Sequence, residues 1–122
     1  MSLPRLSPMD VDSRKAAFKD RVRHWSDKLE VKVVWLGVRP MRNKWASCST
    51  AGHLNFNQEL LGLDGELWDY VIVHELLHFF VPNHGRLWKS LMRAHLGDWQ
   101  RLAERLQAAG GEGTHPGVPR RF

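Results

Sequence analysis

The chain has a single cysteine, Cys48, among its 122 residues. One thiol cannot form an intrachain disulfide framework, and it cannot supply the ligands of a cysteine-rich zinc ribbon. No stretch approaches the roughly 20 apolar residues that a membrane-spanning helix needs. Residues 1–12 hold no apolar run that would serve as a signal peptide. A reduced, cytoplasmic setting without a membrane partner is therefore expected. Internal repeats and phosphate-binding glycine loops are lacking too. Lys and Arg number 18 against 13 Asp and Glu, a net charge of +5. Such a balance favours anionic partners, but the bases are scattered and form no Lys/Arg-rich block. A solvated basic surface is the first reading, with nucleic acid as an alternative partner.

What is present fits one soluble domain with a modest core. Residues 1–109 are expected to form it, and residues 110–122, rich in Gly, Pro and Arg without periodicity, to be a disordered tail. Phe18, Val22, Trp25 and Leu29 recur at helical spacing, predicting an amphipathic helix over 13–29 capped by Ser13. Val31 to Val38 is β-branched and apolar and reads as a strand buried on both faces. Trp45 to Ser49 and His53 to Asn57 read as the two strands of a hairpin. In the second, Leu54 and Phe56 point one way and His53, Asn55 and Asn57 the other. Cys48 reads as a small buried apolar residue, with a redox or metal-proximal role as the alternative. Arg86 to His95 predicts a helix ended by Gly97, and Asp98 can cap a last helix running through Leu106.

The most informative stretch is Asp69 to His84. His74, Glu75 and His78 spell H-E-x-x-H. No Gly or Pro interrupts residues 67–80, Asp64 can cap the start, and Pro82 stops the run, so a buried helix is predicted. On a helix, residues i and i+4 share one face, and two imidazoles so placed can converge on one zinc. Glu75 falls about 100° round, at the rim, where it can hold and deprotonate a metal-bound water.

A catalytic zinc needs a third protein ligand and an open position. His84 follows directly after the helix stop and can be brought back over the same face by a reversal at Pro82-Asn83. His95 is too far along the next helix, roughly 16 Å, to share a metal with His84. Asp98 or Glu104 would suit a site completed by an acid from a later helix. His115 falls in the aperiodic tail. Trp88, one turn beyond His84, can wall the pocket or simply pack in the core.

These residues resemble the YgjP-like metallopeptidase family, a zincin group related to the SprT-like and WLM proteins. The matching residues are Met41-Arg42-Asn43-Lys44-Trp45-Ala46-Ser47-Cys48-Ser49, Gly52, Leu54 and Asn57. They continue through Asp69-Tyr70-Val71, His74-Glu75-Leu76-Leu77-His78, Asn83-His84 and Leu87-Trp88. Ala46 stands where the family usually has Gly, and Leu87 where it usually has Phe. The resemblance spans roughly residues 39–99 and implies His74, His78 and His84 as zinc ligands and Glu75 as catalytic acid/base.

The expected fold is α+β and zincin-like: an N-terminal helix, a small three-stranded sheet, the H-E-x-x-H helix and two further helices. The expected function is zinc-dependent hydrolysis of peptide bonds, with one Zn2+ per chain and a peptide or unfolded protein as substrate. The hairpin of residues 45–57 is the expected edge for an extended substrate, with His53, Asn55, Asn57 and Trp88 as contacts. Alternatives are a metal-dependent nucleotide pyrophosphatase and a non-catalytic zinc-binding or nucleic-acid-associated module. A nitrogen-only ligand set disfavours the first, and the non-ligand Glu75 disfavours the second.

Overall fold

The computed structural model describes residues 8–49 and 51–110. The chain order is helix α1 (Pro8–Leu29), strands β1 (Trp35–Arg39), β2 (Ala46–Cys48) and β3 (His53–Asn57), a 3-10 turn (Gln58–Gly62), then helices α2 (Gly65–Leu77), α3 (Arg86–Leu96) and α4 (Trp99–Gly110). This is the expected α+β arrangement of four helices and a small three-stranded sheet. Among the described residues no helix is long and apolar enough to cross a membrane. The tail expected at 110–122, with His115, lies outside the described residues apart from Gly110.

α1 is longer than its periodicity predicts. It is helical from Pro8, so Ser13 lies inside it rather than at its cap. Proline suits a first helical turn, where its missing N–H would have no partner, and Val11 adds a further apolar contact to the core. The helix ends in a Schellman motif: Val31 N–H bonds Ser26 O at 2.9 Å and Glu30 N–H bonds Asp27 O at 3.3 Å. Glu30 takes the left-handed conformation, φ 57°, where glycine is usual.

The sheet order is β1-β3-β2, with β1 parallel and β2 antiparallel to β3. This corrects two expectations. The segment 31–38 is not a strand buried on both faces. Only its second half is a strand, β1 is an edge, and Val34 and Trp35 are 60% and 58% exposed. The strand His53–Asn57, expected at an edge, lies in the centre. Strand pattern alone does not give this order, because the two β2–β3 partners are neighbours in sequence whereas the β1–β3 pair is made only in the fold.

Leu54 and Phe56 point from β3 into the core, where Phe18 of α1 meets Phe56 edge-on at 5.0 Å. α2 is buried nearly all round, as its composition requires. Its start is capped as predicted, Asp64 accepting from Leu67 N–H at 3.1 Å. Asp69 ties it to α1, accepting two bonds from Arg21 at 2.6 and 2.7 Å and one from the Trp25 indole at 2.8 Å.

Candidate metal centre

The three histidines come together at the end of α2. Regular α-helix stops at Leu77, one turn before Phe80. The N–H groups of His78, Phe79 and Phe80 bond back to the carbonyls of Glu75, Leu76 and Leu77, a 3-10-like tightening. His78 thereby occupies the C-cap position. The chain turns at Pro82, and Asn83 clasps the turn: its side-chain oxygen accepts from Gly85 N–H at 2.9 Å. A Cβ at position 85 would lie 2.7 Å from that oxygen, so any larger residue there would displace the Asn83 side chain from its clasp. His84, held inside this clasp, faces back toward α2.

One ring nitrogen from each of His74, His78 and His84 lies within 4.8 Å of the others, and the three could hold a metal ion. The donor geometry suits one. His78 Nδ1 is 3.1 Å from Val81 O, so Nδ1–H donates there and Nε2 keeps its lone pair. That Nε2 is 3.0 Å from His84 Nε2. Two ring nitrogens facing each other so closely need either a proton or a cation between them. Burial, then the proximity of His78 and His84, pulls His74 down to about 2, so its imidazole is neutral, the ligating form. Burial and His78 also lower His84. Trp88 is 3% exposed and backs the cluster, its ring 4.6 Å from His84 and 5.0 Å from His74.

Asp98 and Glu104 do not join this group. Asp98 caps α4 instead, accepting from Arg101 N–H at 3.3 Å, and both side chains are exposed. His95 lies beside Trp25, 6.1 Å between ring centres. A model of the YgjP-like metallopeptidase domain matches residues 11–109. The chain belongs to the YgjP-like metallopeptidase family. Its fold is similar to the metallopeptidase zymogen of Methanocaldococcus jannaschii jannalysin, with 27% identity and a TM-score of 0.66 over 72% of this chain and 91% of that one. It is also similar to the metallopeptidase zymogen of Pyrococcus abyssi abylysin, with 22% identity and a TM-score of 0.64 over 75% and 92% of the two chains. At that lower identity the likeness is one of fold. No curated protein matches.

In this YgjP-like domain Glu75 is 2% exposed, and burial raises its carboxyl above the usual range. Cys48, His78 and Lys44 act in the opposite direction. Of the expected substrate contacts on β3, Asn57 is engaged within the fold, while His53 is exposed and Asn55 half-buried. Cys48 lies opposite Leu54, on the helix-facing side of the sheet, so strand alternation turns His53, Asn55 and Asn57 to the other side. Asn55 packs over Gly37 of β1. Asn57 is 0% exposed; it donates to Met41 O at 3.0 Å and Lys44 O at 2.8 Å and accepts from Glu59 N–H at 3.0 Å. It pins the loop before β2. Cys48 also departs from expectation, being exposed rather than buried. Sequence reasoning missed the Asn83–Gly85 clasp, although Asn-x-Gly is a turn signal, and it missed the contact of Cys48 with Glu75, which no local pattern encodes.

Proposed function

We propose that the protein is a zinc-dependent metallopeptidase, with His74, His78 and His84 holding the metal and Glu75 as general base. The observation that carries this reading is the convergence of three imidazole nitrogens, one of them tautomer-fixed by Val81 O, beside a buried non-ligand carboxylate. A nitrogen-only set favours zinc over the oxygen-seeking cations of phosphoanhydride hydrolysis. When bound, zinc supplies Lewis acidity for the scissile carbonyl and lowers the pKa of the attacking water. Glu75 takes the water proton and delivers it to the leaving amine. Burial raises its carboxyl above the usual range, which favours uptake of a proton. A carboxylate that is not a ligand adds nothing to a purely structural metal site, so the presence of Glu75 supports catalysis.

The substrate lies along β2. That strand is an open edge of the sheet and packs on α2. Trp45 O accepts from Asn57 N–H and Ser49 N–H bonds His53 O, so the main-chain groups of Ala46 and Cys48 point away from β3. An extended peptide can add there with little residue preference. Unfolded or extended segments are thus the substrate class. A single free thiol suits a reducing, cytoplasmic compartment. The test is metal analysis of the purified protein beside cleavage of a peptide library. One zinc per chain and cleavage abolished by a chelator support the reading; cleavage that persists in metal-free protein contradicts it.

A further inference from the structure

Glu75 is almost wholly buried, and a buried carboxylate needs a donor to hold it in one orientation. The adjacent His74 Nδ1 is 3.9 Å from Glu75 Oε1, beyond hydrogen-bond reach. The sheet offers one. β2 packs on α2, and its register with β3 sets Cys48 opposite the fully buried Leu54. Strand alternation then turns the Cys48 side chain to the helix side. There the thiol faces the Glu75 carboxylate, an acceptor to which an S–H can donate.

We infer that Cys48 is a positioning residue for Glu75: its S–H, carried on the β2 edge, fixes the carboxylate in the orientation from which it takes the water proton. The inference rests on the peptidase reading above. It also accounts for the exposed cysteine that neither the core nor the histidine cluster uses. The choice of sulfur has a chemical logic. A thiol is a weak donor, so it orients the carboxylate while leaving most of its proton affinity for the reaction. The donor is also durable. Burial, then the charge and hydrogen bond of Glu75, push Cys48 up to about 12, and the thiol keeps its proton at neutral pH.

Two measurements test this. In the zinc-loaded enzyme, Cys48→Ala should lower kcat about tenfold through the lost orientation of Glu75, with KM and zinc content unchanged. Cys48→Ser, which keeps a donor, should recover kcat to within about threefold of wild type. Wild-type kcat in Cys48→Ala, or a serine variant no better than alanine, overturns the role. The second measurement needs no activity. Cys48 is the only cysteine, so alkylation reports on it alone. In metal-free protein at mildly alkaline pH, Glu75→Gln should speed iodoacetamide modification by about tenfold or more, since the neighbouring charge no longer opposes the thiolate. Glu104→Gln, at an exposed site on α4, should leave the rate alone. Equal rates in wild type and Glu75→Gln overturn the contact itself, whatever the peptidase assay shows.

Discussion

His78 is fixed from both ends, by Val81 O at Nδ1 and by its place at the tightened end of α2. His84 depends on the Asn83 clasp instead. His74→Ala or His78→Ala should therefore abolish zinc binding, and His84→Ala should weaken it strongly, while Asp98→Ala and Glu104→Ala leave it intact. Titration with a zinc-chelating dye checks this; zinc lost from Asp98→Ala or Glu104→Ala and kept by His84→Ala would move the third ligand to α4. Asn57 carries a structural load. Asn57→Leu leaves the Met41 and Lys44 carbonyls and the Glu59 N–H without their partner, costing roughly 2–4 kcal/mol. Urea denaturation should show a lower midpoint with an unchanged slope. At this scale the clustering of His74, His78 and His84 was legible in the sequence, because it depends on short spacings. The sequence could not reveal that Asn57 is buried or that Cys48 reaches Glu75, because both contacts bridge separate elements.

At the scale of elements, the helix ends are sharply defined. Burial alone would raise the Asp64 carboxyl; the Leu67 amide and Arg105 outweigh it and hold it below its usual range. A carboxyl lowered in the folded state stabilises above its unfolded pKa, and that stability is lost as pH falls through the folded value. Asp64→Ala should thus cost about 1 kcal/mol at neutral pH, with the gap closing below about pH 4. Thermal melts at stepped pH measure it; a gap constant down to acid pH would remove the charged cap. At the other end of the chain's first helix, Glu30→Gly should stabilise by about 1 kcal/mol, because glycine adopts the left-handed conformation without strain. The Asp64 cap and the Gly97 stop were legible because both are local chemistry. The early end of α2 was not, because the 3-10 tightening depends on what the histidines and the turn at Pro82 pack against. The sheet edge belongs here too. N-methylation of alternate substrate amides should raise KM for peptides that pair with β2, while methylation of the intervening amides should not; uniform kinetics across the series would exclude this edge.

For the molecule as a whole, helices and hairpin were legible from periodicity, and the sheet order was not. Placing β3 between β1 and β2 puts Cys48 and the open β2 edge beside α2, and turns the polar residues of β3 to the opposite side of the sheet. The same arrangement seats α1 against the core through Phe18 and locks it to α2 through Asp69. One measurement tests the account most directly: zinc content and peptide turnover of Glu75→Gln beside wild type. The amide keeps the shape of the carboxylate but cannot take the water proton, so the variant should fold, bind one zinc per chain and lose at least about 10²-fold in kcat. A folded, zinc-loaded Glu75→Gln with wild-type turnover would contradict the account.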